Sequence, residues 1–152
     1  MSSTRARGTR RRLPLLVALG LLVATSPLLA QPGARLEGTW TATSAERDGQ
    51  SAPDVVGHVL TFTGDRFAIS RDGRAVYEGT YRTAEGRPAQ IDFDNTSARL
   101  QGTWKGIYRL DGTSLRICDN APDMTKPRPT AFSAAAGSGY VCVDFTRPRA
   151  GG

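Results

Sequence analysis

Few residues in this chain are able to do chemistry, and their types and spacing set narrow limits. Cys118 and Cys142 are the only cysteines and His58 is the only histidine. One imidazole and two thiols fall short of the four ligands of a structural zinc site, and no Ser/His/Asp set stands at a readable catalytic spacing. His58 reads as a residue at the start of a strand, not as a base. Asp92-Phe93-Asp94-Asn95 and Asp119-Asn120-Ala121-Pro122-Asp123 offer the oxygens that calcium takes, but neither has the spacing, glycine and closing glutamate of an EF-hand loop. Turn-capping carboxylates are the simpler reading, since Asp and Asn side chains bond their own backbone in turns. Asn95-Thr96-Ser97 is a formal glycosylation sequon. No phosphate loop or dinucleotide fingerprint occurs. No catalytic residue, metal ligand or cofactor is assigned, and the chain reads as non-enzymatic.

The aromatic residues have two readings, of which a plain core is the more frequent. Phe62, Phe67, Tyr77, Tyr81, Phe93, Trp104 and Tyr108 would either line a pocket for a small apolar molecule or fill a core. Arg128-Pro129-Thr130-Ala131-Phe132 also has two readings. It is either a lid with Arg128 turned to an anionic ligand group, or a stiff crossing whose Phe132 plugs one end of the fold. The plug is favoured, because long loops need anchoring.

The elements that must position these residues are short β-type runs separated by Gly, Asp and Asn turns. Strands are expected at 38–45, 58–63, 66–70, 75–83, 89–94, 100–110, 114–118 and 140–146. Asp72-Gly73 and Asp111-Gly112 are hairpin signals, 52–57 reads as a loop or one helical turn, and Gly102 and Gly106 read as bulges or bends. A long loop with three prolines fills 119–139. Period-2 reading points Leu60, Phe62, Phe67, Ile69, Ile91, Phe93, Leu115, Ile117, Val141, Val143 and Phe145 inward. Arg66, Asp92, Asp94, Arg116 and Asp144 then face solvent. Eight sequential strands with one long connection predict an all-β, eight-stranded antiparallel up-and-down barrel.

The first twelve residues hold five arginines and no acid, and 13–30 is an uncharged apolar run ending in Ala30. That is a secretory signal peptide over 1–30, with Thr9-Arg10-Arg11-Arg12-Leu13 partly matching a twin-arginine signal. An uncleaved membrane anchor is the alternative, weakened by Pro14, Gly20 and Pro27. A short linker (31–35), a domain at 36–147 and a flexible tail (148–152) follow. The whole chain has 20 basic and 14 acidic side chains, but removing the signal leaves 15 and 14, a net charge of +1. The apparent basicity therefore gives no support for nucleic-acid binding. Export to a periplasm, cell envelope or extracellular space is oxidising, so Cys118 and Cys142 can form a disulfide between the last two strands. Two separate thiols are the alternative.

Gly38-Thr39-Trp40 at the start of the first strand resembles the lipocalin Gly-x-Trp signature, and Arg147 after the last strand is placed to stack on Trp40. Gly102-Thr103-Trp104 carries the same three letters. More widely, Leu36-Glu37-Gly38-Thr39-Trp40, Ser44 to Gly49, Leu60 to Asp65, Gly106 to Gly112, Leu115 to Cys118 and Arg128 to Phe132 resemble a family of uncharacterised, often exported bacterial domains. That family is lipocalin-like and abundant in planctomycetes. The resemblance spans Leu36 to Arg147, with Cys142 a departure from the more usual aliphatic residue. It implies a lipocalin-like barrel and no particular activity. The expected function is an exported, non-catalytic barrel binding a small, partly apolar ligand. The alternative is a cell-envelope protein-interaction or structural module that uses the 119–139 loop.

Overall fold

In the computed structural model of the protein, residues 35–149 are described. The expected signal peptide (1–30), residues 31–34 of the linker and residues 150–152 of the tail lie outside them. Nine strands follow one another: β1 (Gly38–Arg47), β2 (Gln50–Ser51), β3 (Val59–Thr63), β4 (Arg66–Arg71), β5 (Arg74–Ala84), β6 (Ala89–Asn95), β7 (Gly102–Asp111), β8 (Ser114–Asp119) and β9 (Val141–Thr146). From β3 to β9 each strand pairs antiparallel with the next. β1 joins β3 on one side and β9 on the other, from Thr41 opposite Thr146 to Arg47 opposite Val141. The sheet thus closes on itself as the expected eight-stranded up-and-down barrel, and closure removes the exposed edges that an open sheet would present. The two-residue β2 extends a hairpin from β1 and is not one of the eight.

Turn chemistry explains the strand order. Asp48-Gly49 (φ 54° and 72°) and Asp72-Gly73 (φ 51° and 74°) each place two successive residues in the left-handed region, as a type I′ hairpin requires. The first of these turns creates β2, which has no apolar residue to announce it. No register shift occurs at Gly102 or Gly106, where bulges or bends were expected. The shifts lie in β1 between Ala42 and Ser44, and where β4 meets β5 between Ile69 and Ser70. Gly106 is required for another reason. It faces inward between Ile91 and Asp119, where an added Cβ would stand 2.9 Å from the Cys118 carbonyl oxygen and 3.1 Å from the Asp119 Cβ.

The two faces separate as the alternation predicts. Leu60, Phe62, Phe67, Ile91, Phe93, Leu115, Ile117, Val143 and Phe145 share one interior core with Trp40, and Ile69 and Val141 pack against it. The outer wall carries ion pairs between Arg82 and both Asp92 (3.3 Å) and Asp94 (2.6 Å), and between Arg116 and Asp144 (2.7 Å).

One end of the barrel is closed. Leu36 and Trp40 are fully buried there, and the Trp40 Nε1–H donates to the Leu36 carbonyl at 2.8 Å. The Arg147 guanidinium lies 4.2 Å from the Trp40 ring and donates to the Glu37 carbonyl at 3.0 Å. This is the cation–π stack expected of the lipocalin-like pattern.

Cys118 and Cys142 face each other across β8 and β9 and form a disulfide with an S–S distance of 2.03 Å. They lie on the outward face, yet both are buried, because residues 120–140 cross over them. Ile107, Ala134, Phe132 and Tyr140 complete a second, smaller core outside the wall. The crossing is stitched down by buried Asn120, whose Oδ1 accepts the Lys105 N–H at 2.7 Å and whose Nδ2 donates to the Lys126 carbonyl at 2.7 Å. The Gly49 N–H donates to the Ala134 carbonyl at 2.6 Å at its far side.

Phe132 therefore does not plug a barrel end. It packs on the outer wall, with the Arg109 guanidinium 5.2 Å from its ring. Arg128 does not face a ligand site either. It donates to Asp92 Oδ1 at 2.5 Å and to the Gly106 carbonyl at 2.8 Å, outside the barrel. The apolar residues of the loop pack on the wall against Ile107 and the disulfide.

Candidate ligand cavity at the barrel mouth

The end opposite Trp40 holds a cavity of about 460 Å³. That lies within the range of about 300–1,000 Å³ usual for small-molecule sites. Its walls come from the inward faces of β3 to β9, with Leu60, Ile69, Tyr77, Phe93, Trp104, Ile117 and Val143 among them. Below, the aromatic rings pack tightly. Phe67 meets Phe93 edge-on at 4.9 Å, and Tyr77 meets Trp104 edge-on at 5.2 Å. Such pairs are favoured by the ring quadrupoles and hold the floor rigid.

Of the aromatic residues singled out from the sequence, Tyr77, Phe93 and Trp104 line this cavity. Phe62 and Phe67 belong to the packed core beneath it, with Phe62 4.5 Å from the Tyr81 ring. Tyr81 and Tyr108 sit on the closed half, where Tyr81 pairs with Phe93 across β5 and β6 and Tyr108 pairs with Ala89. Arg128 and Phe132 are outside. The expected pocket is thus divided among lining, floor and far end.

Three loops frame the mouth. Residues 52–58 are bound to β1 through Ala52 N–H to the Ala45 carbonyl (2.9 Å) and Gly57 N–H to the Ala42 carbonyl (2.9 Å). His58 sits at the end of this loop, its Nδ1 2.8 Å from the Val55 carbonyl, so Nδ1 carries the donated proton. Residues 96–101 are held by buried Asn95. Its Nδ2 donates to the Arg99 and Leu100 carbonyls at 2.8 and 2.9 Å, and its Oδ1 accepts the Ser97 N–H at 3.1 Å. The Trp104 Nε1–H also donates to the Leu100 carbonyl, at 2.9 Å. Leu100 is kept at φ 53°, a left-handed conformation that a leucine adopts only when its surroundings impose it. The third loop brings Ala121 and Pro122 to the rim.

Two kinds of charge meet here. Arg47, Arg71 and Arg99 line the rim with Asp54. Both Asp54 oxygens accept from Arg47 Nη2, at 3.0 and 3.1 Å, and that bonding holds the Asp54 carboxyl below the usual carboxylate range. Arg71 donates to the Asp54 backbone carbonyl.

Deeper in, Asp119 is 9% exposed and turns inward between Gly106 and Val141. Its Oδ1 accepts the Ala121 N–H at 2.9 Å. Burial pushes this carboxyl up to about 7, with the Ala121 bond opposing it. No buried polar side-chain atom among the described residues lacks a partner, so the other Asp119 oxygen touches the open cavity.

Sequence reasoning took Asp119 only as a turn cap. It does cap, through Ala121, but it also follows inward Ile117 and outward Cys118, and that alternation carried the missed signal. Arg47 and Arg71 were not found, because each is the last residue of a strand that the sequence reading ended too early, at 45 and 70; Arg99 stands in a loop, where no periodicity can be read. No cluster of metal-ligating side chains occurs among the described residues. The protein was compared with family models, curated proteins and solved structures, and nothing matches.

Proposed function

We propose that this protein is an exported, non-catalytic β-barrel that holds one small, partly apolar ligand. The cavity carries the proposal: it is framed by loops fixed through buried hydrogen bonds and floored by aromatic rings. Pre-formed walls cost little to order on binding, which favours affinity from apolar contact alone. Export is supported by the basic-then-apolar N-terminus and by the disulfide, which suits an oxidising compartment. The Trp40–Arg147 stack supports kinship with lipocalin-like domains. The absence of an acid–base or nucleophile set in the sequence argues against catalysis.

Titration of the purified mature protein with the neutral apolar fluorophore 1-aminoanthracene tests the ligand reading. One saturable site is expected, with energy transfer from Trp104. A linear, unsaturable response would refute it. Mass spectrometry of protein recovered from the envelope fraction tests the rest: an N-terminus at Gln31 and an oxidised cysteine pair are expected.

A further inference from the structure

The rim of the cavity is charged in a one-sided way. Of its three guanidinium groups, that of Arg47 is neutralised by both oxygens of Asp54. Arg99 forms no ion pair among the described residues, and the closest carboxylate to Arg71 is the highly exposed Asp72, 3.9 Å away. At the entrance of an apolar cavity Arg99 thus stands unpaired among the described residues, and Arg71 is balanced only by this long, exposed pair while its Nη1 donates to the Asp54 carbonyl. The backbone at Arg99 is also held in place. Its carbonyl and that of Leu100 accept from the buried Asn95 amide, and Leu100 is forced to φ 53° beside it. Strained backbone fixed by buried polar groups is characteristic of ligand clamps, because the strain persists only where surroundings over-determine it. Guanidinium groups at the edge of a low-dielectric cavity attract an anion more strongly than they would in open water, and they bind carboxylate or phosphate oxygens in a fork.

We propose that the cavity takes an anionic amphiphile, with its apolar chain against Tyr77, Phe93 and Trp104 and its anionic group held at the rim by Arg71 and Arg99. This rests on the ligand-binding reading of the cavity and adds the chemical class of ligand. Asp119, the acidic group deeper inside, lies among Gly106, Ala121 and Val141 and forms no ion pair among the described residues.

The test compares decanoate with decanol near neutral pH, reading the two indole N–H signals by NMR. Trp104 reports on the cavity, and Trp40, buried at the closed end, reports on the integrity of the fold. The expected result is a Trp104 shift with both probes, decanoate binding about ten-fold tighter, and that advantage lost in R71Q/R99Q with the Trp40 signal unchanged. Equal affinity of the two probes for the wild-type protein would overturn the anionic assignment and leave the ligand reading standing. No Trp104 shift with either probe would overturn both. The wild-type comparison needs no variant, so it stands even if R71Q/R99Q fails to fold. Sedimentation with phosphatidylglycerol against phosphatidylcholine vesicles then distinguishes the sources. Selective capture that decanoate displaces assigns a bilayer lipid, and no capture assigns a free amphiphile.

Discussion

Replacing Asp119 with asparagine gives the sharpest test of the cavity. Asparagine keeps the shape and the acceptor for the Ala121 N–H but cannot ionise. In the folded protein burial raises the Asp119 carboxyl from 3.8 to about 7. The folded state therefore binds the proton more tightly than the unfolded chain does. The wild-type protein has its full stability from this group below pH 3.8, loses it as pH rises towards 7, and loses no more above that. At about 1.36 kcal/mol for each pH unit, the whole loss is about 4 kcal/mol, and about 3 kcal/mol of it has accrued by about pH 6. Water in the cavity relaxes the penalty, so these are upper figures. Urea unfolding of the two proteins, followed by tryptophan fluorescence between about pH 4 and pH 8, measures the gap. Near-equal stability at the acid end and a D119N advantage growing towards neutral pH are expected. The carboxylates of Asp54, Asp94 and Asp123 are lowered and push wild-type stability the other way, but they cancel in the difference. A gap that does not change with pH, or that widens towards acid, would refute the reasoning.

Three other outcomes follow from the packing. Removing the disulfide in C118S/C142S, with its separation of 24 residues, should cost about 3 kcal/mol on the chain-entropy relation. Thermal unfolding should show it, with a reductant lowering the wild-type midpoint and leaving that of the variant unmoved. Phe132→Ala should cost about 1–2 kcal/mol, because the ring is half-buried on the outer wall, yet leave 1-aminoanthracene affinity unchanged. A large loss of affinity would return Phe132 to the mouth. Asn95→Ala removes both donors that fix residues 96–101 and should cost about 2–3 kcal/mol. Hydrogen exchange should rise first at those residues, and unchanged protection there would refute the clamp.

Most of the fold was legible because two independent signals agreed. Alternation told inward Ile91 and Phe93 from outward Asp92 and Asp94, and the Asp-Gly pairs at 72–73 and 111–112 said where β4 and β7 turned back. Cys118 and Cys142 could be placed on one face for the same reason. What escaped was the destination of the long loop. Phe132, Tyr140 and Ala134 had an apolar seat on the wall only because the disulfide and Ile107 present one there, on a face that alternation labels as solvent. Once that seat exists, the mouth is left to shorter loops and strand ends: Arg71 extends the inward row of Phe67 and Ile69 one step past the expected strand end, Arg47 follows a register shift in β1 that alternation cannot foresee, and only Arg99 stands in a loop.

The open and the closed end of the barrel are built from almost the same words. Leu36-Glu37-Gly38-Thr39-Trp40 starts β1, and Leu100-Gln101-Gly102-Thr103-Trp104 starts β7. In both, glycine has positive φ (108° and 136°), and the indole N–H donates to the carbonyl of the leucine four residues earlier. The local motif therefore does not decide which end closes. Its surroundings do. Leu36 turns inward and is fully buried, while Arg147 covers the Trp40 ring from the last strand. Leu100 has the Asn95 amide on its carbonyl, takes the left-handed conformation and stays 38% exposed. Its side chain lines the mouth without being buried in it. Freed from Asn95, Leu100 has every hydrophobic reason to fall inward. The Asn95→Ala protein should then bind 1-aminoanthracene more weakly, and affinity equal to that of the wild-type protein would show that the mouth is kept open by some other contact.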